Sequence, residues 1–105
     1  GTILGIQFLE LFKDNLYFDL AQHANEMALK MAAAIKEKGF SFLTEPASNQ
    51  IFPIFPNRVI DELSKKYQFY VWKKVDENKS AIRLITSWAT KENEVEEFIN
   101  DLNNL

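Results

Sequence analysis

The chain contains no cysteine, one histidine and two arginines, and only three glycines and three prolines in 105 residues. Without cysteine there is no disulfide framework, no thiolate metal site and no cysteine nucleophile. A cysteine-free chain suits a reducing cytoplasm, and a soluble cytoplasmic domain is the expectation. No apolar run approaches the about 20 residues of a membrane span, and the N-terminus lacks the basic region and cleavage site of a secretory signal. Positive charge is also scarce. Twelve Lys and Arg against 15 Asp and Glu leave a net charge of −3, so no nucleic-acid partner is expected, because binding a phosphate backbone needs a concentrated basic surface. There is no G-x-G-x-x-G, phosphate loop, H-E-x-x-H or calcium loop. The lone His23 has no serine or cysteine arranged around it as a nucleophile, and a packing or helix hydrogen-bonding role is expected of it.

What the chain does have is apolar and aromatic mass. It is 47% hydrophobic, with nine Phe, three Tyr and two Trp. At this length one domain, residues 1–105, is expected to bury roughly 65% of its unfolded surface. The first twelve residues, from Gly1 through Leu11 and Phe12, are apolar on more than one helical face. Such a helix is either covered by another domain or a second subunit, or it is a central core helix.

Periodicity predicts a helix over 3–13, a break at Asp14 and Asn15, and a longer helix over 16–38 stopped by Gly39. Leu20, Met27, Met31 and Ile35, with Ala24 and Ala28 between them, form its apolar stripe, and the methionines read as core. A strand over 40–44, a loop and a strand over 50–55 follow. Pro53 removes one ladder donor and favours an edge or an irregular strand end. Asn57 is the expected N-cap of a short helix ending near Lys66, with Val59, Ile60 and Leu63 on its buried face. Strands over 69–75 and 80–88 form a hairpin across residues 76–79. Thr90 is expected to cap a last helix whose apolar face is Val95, Phe98, Ile99 and Leu102. Its acidic first half follows the helix dipole and does not signal a metal site. The order ααββαββα predicts an α+β fold, a small antiparallel or mixed sheet of three to four strands packed on helices.

One residue stands out against this pattern. Alternation through Ala81-Ile82-Arg83-Leu84-Ile85 puts Ile82 and Leu84 on one face and Arg83 and Ile85 on the other, so a guanidinium projects from the middle of a strand. A cation there needs an anionic partner. The planar fork of arginine matches a carboxylate through two hydrogen bonds, which leaves two readings open: a ligand anchor, or half of an internal ion pair with one of the chain's own glutamates.

Four segments carry a family resemblance. Gly5-Ile6-Gln7-Phe8, His23-Ala24-Asn25, Ser48-Asn49-Gln50-Ile51-Phe52-Pro53 and Arg83-Leu84-Ile85-Thr86-Ser87-Trp88-Ala89-Thr90, in this order and spacing, resemble the C-terminal small domain of the threonine aldolase and β-eliminating lyase family. These are pyridoxal-phosphate enzymes of the aspartate aminotransferase fold type. The resemblance spans essentially the whole chain. It implies a parent enzyme that cleaves a β-hydroxy-α-amino acid such as threonine or allo-threonine to glycine and an aldehyde, with the cofactor as electron sink. It implies that the Schiff-base lysine and the cofactor contacts belong to a larger domain not contained here, with residues 1–15 in a helix running between the two. It further implies that Arg83 clamps the substrate α-carboxylate. A small-domain fragment of this kind is expected to form part of a homo-oligomer, to hold no cofactor or metal and to catalyse nothing alone. The competing expectation is a stand-alone domain that binds a carboxylate or amino acid, or one that only dimerises.

Overall fold

The computed structural model describes residues 16–105. The predicted helix over 3–13, the break at Asp14 and Asn15 and the motif Gly5-Ile6-Gln7-Phe8 lie outside the described residues. Helix α1, Leu16–Glu37, buries Ala24, Met27, Ala28, Met31, Ala32 and Ile35, a spacing of three and four that makes one continuous stripe. It stops at Gly39, whose φ of +96° is left-handed. Gly39 N–H donates to Lys36 O at 2.9 Å and Phe40 N–H to Ile35 O at 3.2 Å. This pair of reversed bonds satisfies carbonyls that the helix end would otherwise leave bare.

Five antiparallel strands follow: β1 Ser41–Phe42, β2 Gln50–Ile51, β3 Pro53–Pro56, β4 Tyr70–Lys74 and β5 Lys79–Ile85. Helix α2, Asn57–Ser64, lies between β3 and β4, and α3, Glu92–Asn103, closes the described order. The fold is α+β as expected, with five strands where three or four were predicted. The extra strand arises because the segment expected as one strand is interrupted. Ile51 faces Leu84 and Ile54 faces Ala81, so β2 and β3 run along one register of β5. Phe52 falls in the gap, just before Pro53, which has no N–H to give. Pro53 is not on an edge, since β3 lies between β1 and β5; it opens β3 at an irregular strand start.

One core joins Met27, Met31 and Ile35 of α1, Val59, Ile60 and Leu63 of α2, and Val95, Phe98 and Leu102 of α3 to Ile51, Phe55, Ile82 and Leu84 of the sheet. All three helices therefore cover the same face. Phe55, Ile35, Ile82 and Leu102 are fully buried.

Two expected caps are corrected. Asn57 is the first residue of α2, with Pro56 at the cap position. Its Nδ2 donates to Glu77 O at 3.0 Å and its backbone N–H to Asn78 O at 2.8 Å, which ties α2 to the β4–β5 turn. Before α3 the cap position is Lys91, not Thr90. The Thr90 hydroxyl accepts from Ser87 N–H at 2.9 Å instead, and the Glu94 carboxylate reaches back to Lys91 N–H at 3.3 Å.

Candidate functional site

Arg83 sits in the middle of β5 on the face that the helices leave open, with Ile85 beside it half exposed at 49%. Tyr70 of β4 faces it across the ladder on one side, and the interrupted register places Phe52 opposite it on the other. Its guanidinium carbon lies 5.5 Å from the centroid of the Trp72 ring, within range of a cation–π contact. The Trp72 ring also meets Phe52 at 5.4 Å and 50°. Because Trp72 and Phe52 belong to segments flanking β5, their contact passes over the stem of Arg83.

Trp72 owes this position to a β-bulge. Near the turn Lys74 faces Ser80 and Lys73 faces Ala81, but Val71 faces Ile82 and Tyr70 faces Arg83. Continued regularly, the first register would put Trp72 opposite Ile82, on the helix-covered face. The one-residue shift gives that place to Val71 and sends the indole to the open face.

Arg83 Nε is buried and has no hydrogen-bond partner. The ion pairs among the described residues lie elsewhere: Lys30 with Glu92 and Glu96, Lys65 with Glu62, and Lys66 with Glu97 and Asp101. Among the described residues, no carboxylate is paired with Arg83.

The other quoted motifs converge at the far end of β5. Thr86 is buried, and its hydroxyl donates to Ala24 O in α1 at 2.5 Å. Thr86 N–H donates to Asn49 O, and Asn49 Nδ2 returns to Thr86 O, both at 2.9 Å. His23 Nε2 donates to Thr90 O at 2.6 Å, a structural hydrogen bond that leaves the helix for the loop before α3, where packing or a helix hydrogen bond was expected. Residues from His23-Ala24-Asn25, Ser48-Asn49-Gln50 and the segment after Arg83 thus form one junction that pins α1, β2 and the end of β5 together. These motifs are structural, and the arginine is the residue they hold in place. Sequence reading missed Trp72 and Phe52. Phe52 was quoted inside a motif without a role, and no alternation pattern reveals a bulge.

A groove of about 490 Å³ lies between α1 and the β1 edge, lined by Leu29, Ala33, Lys36, Phe42, Leu43 and Pro46 among others. None of the quoted motif residues lines it. No described helix is long and apolar enough to cross a membrane, and the described residues contain no cluster of three His, Asp or Glu side chains able to hold a metal.

The chain is similar to a solved threonine aldolase from Leishmania major, with 40% sequence identity and a TM-score of 0.91. The match covers 96% of this chain and 30% of that one. No protein-family model matches the chain, and no curated protein does. The resemblance read from the sequence, to the small domain of a threonine aldolase, is borne out, and the fold is that of a threonine aldolase domain.

Proposed function

We propose that this threonine-aldolase-like domain is the small, carboxylate-binding part of a larger pyridoxal-phosphate enzyme that cleaves β-hydroxy-α-amino acids to glycine and an aldehyde. The observation that supports this reading is Arg83: a guanidinium in mid-strand, on the uncovered face, with no carboxylate partner among the described residues. A charge held there without a partner is costly to the fold alone. A substrate carboxylate supplies the missing anion through two parallel N–H···O bonds. Holding the carboxylate also restricts rotation at the α-carbon, so that one substituent is presented for cleavage in preference to another.

Among the described residues no lysine is suited to form the Schiff base with the cofactor. Every lysine among the described residues is at least partly exposed; Lys30 and Lys66 are engaged with carboxylates and Lys38 Nζ donates to Asn103 O. A Schiff-base lysine needs a sheltered amine of lowered pKa, so that residue is assigned to the larger domain. The open face carries Tyr70, Trp72 and Ile85 with more than 45% of each exposed. That apolar surface suits burial against the larger domain or a second subunit.

In the full-length enzyme Arg83→Ala is expected to lower kcat/KM by about 10²- to 10³-fold, the range for removing one partner of a desolvated charge pair, while the cofactor spectrum stays unchanged. An unaltered kcat/KM sinks the assignment. Saturable binding of a free amino acid by the 105-residue chain alone would favour the stand-alone binding module instead.

A further inference from the structure

The surroundings of Arg83 are more elaborate than a carboxylate clamp needs. Arginine has several rotatable bonds, and an exposed guanidinium samples many orientations of its plane. Here three independent features restrict it. The Trp72 ring lies over the guanidinium at 5.5 Å. Phe52 supports that ring from the opposite flank at 5.4 Å. The β-bulge between Val71 and Lys73 puts the indole on this face at all. The result is an aromatic bridge across the stem of one side chain.

The bridge also selects which edge of the guanidinium is usable. A carboxylate can dock side-on, through Nε and one terminal nitrogen, or end-on, through the two terminal nitrogens. Nε is buried and has no hydrogen-bond partner among the described residues, so the side-on edge is closed. The terminal edge is left for the anion.

We propose that Trp72, supported by Phe52, is the positioning residue for Arg83: it fixes the guanidinium plane so that a substrate carboxylate is taken end-on. This rests on the carboxylate-binding role assigned to Arg83 above. Trp72 then acts on affinity for the carboxylate specifically, and not on binding of the rest of the substrate. An exposed strand tryptophan with a purely structural role would affect all ligands alike.

The test compares threonine with its primary carboxamide as ligands of the full-length enzyme, taking the ratio of their dissociation constants. Arg83→Ala is expected to bring that ratio close to one. Trp72→Leu, which keeps bulk and removes the ring, is expected to reduce it about tenfold, the scale of a partly desolvated cation–π contact. Trp72→Phe is expected to keep it within about threefold of the parent. Affinity for the carboxamide should be the same in all three. If Trp72→Leu does not fold, Phe52→Leu, which removes only the support, should lower the ratio about threefold. A ratio untouched by the leucine variants but lost with Arg83→Ala overturns the positioning role and leaves the clamp standing. A ratio untouched by Arg83→Ala overturns the clamp, and the positioning role with it. An equal loss for both ligands in Trp72→Leu makes the tryptophan structural and overturns the proposal.

Discussion

The two faces of the sheet are built on opposite terms. On the covered face Ile51, Phe55, Ile82 and Leu84 meet three helices and are at most 8% exposed. On the open face β5 and its neighbour β4 carry a charged fork, a tryptophan and a tyrosine, none of which belongs to that core. Burial dominates folding free energy, so the covered face accounts for why the chain folds. The open face holds what is left for other tasks. β5 belongs to both, since its alternate residues serve stability and recognition in turn.

The contrast can be tested first at its strongest point. Phe55→Ala is expected to destabilise the domain by about 3–5 kcal/mol in urea denaturation, because a fully buried ring leaves a cavity. A loss under about 1 kcal/mol would mean that the core is not where the covered face puts it. Next comes the junction. Thr86→Val preserves shape and keeps the backbone N–H bond to Asn49 O but removes the buried hydroxyl's bond to Ala24 O, with an expected loss of about 0.5–1.5 kcal/mol. On the open face Arg83→Ala should change stability by less than about 1 kcal/mol, in either direction. A large destabilisation there would blur the division and return the residue to a structural role.

A smaller effect separates the faces by pH. Tyr67, just before β4, donates its hydroxyl to Asp101 of α3, and Lys66 reaches the same carboxylate at 3.0 Å. The Tyr67 hydrogen bond, then the Lys66 bond, holds Asp101 below the usual carboxylate range. Its ionised form therefore stabilises the fold above the unfolded-state pKa, and that contribution is lost as pH falls through the depressed value. Burial first, and then Asp101, push the Tyr67 phenol up to about 12. The neutral phenol contributes fully below its unfolded value near about 10, and the contribution disappears as pH rises toward 12. A pH series of melting curves should show both losses in the parent chain, while Tyr67→Phe should lack the alkaline one. Identical alkaline slopes in the two chains would remove this hydrogen bond from the account.

Helix α1 was legible in the sequence because its stripe of Ala24, Met27, Ala28, Met31 and Ile35 has one period and its end has one glycine. The buried alternation of Ile82 and Leu84, and with it the outward face of Arg83, was legible for the same reason. Local periodicity fails where two segments must be aligned. Residues 50–55 read as one strand: Pro53 signals a missing donor, but nothing local shows that the ladder breaks at Phe52 while the register on β5 continues. The caps at Asn57 and Thr90 fall elsewhere because both side chains have other partners: the Glu77 carbonyl, brought close by the fold, for one and the amide of Ser87 in its own turn for the other. Trp72 was the largest omission. Its face depends on a one-residue shift that only the pairing with β5 reveals.

The fastening of Thr86 to Ala24 and Asn49 makes β5 a ruler. Three steps along the chain lead from that anchor back to the guanidinium, and each step along a strand reverses the direction of the side chain. One codon gained or lost between positions 83 and 86 would therefore turn the fork inward among the helices and present an aliphatic chain in its place. At the hairpin end the bulge already accommodates one residue more than a regular ladder would. Variation in chain length should accordingly be tolerated in the turn between β4 and β5, and be absent beside Trp72 and from the short stretch that runs from Arg83 to Thr86.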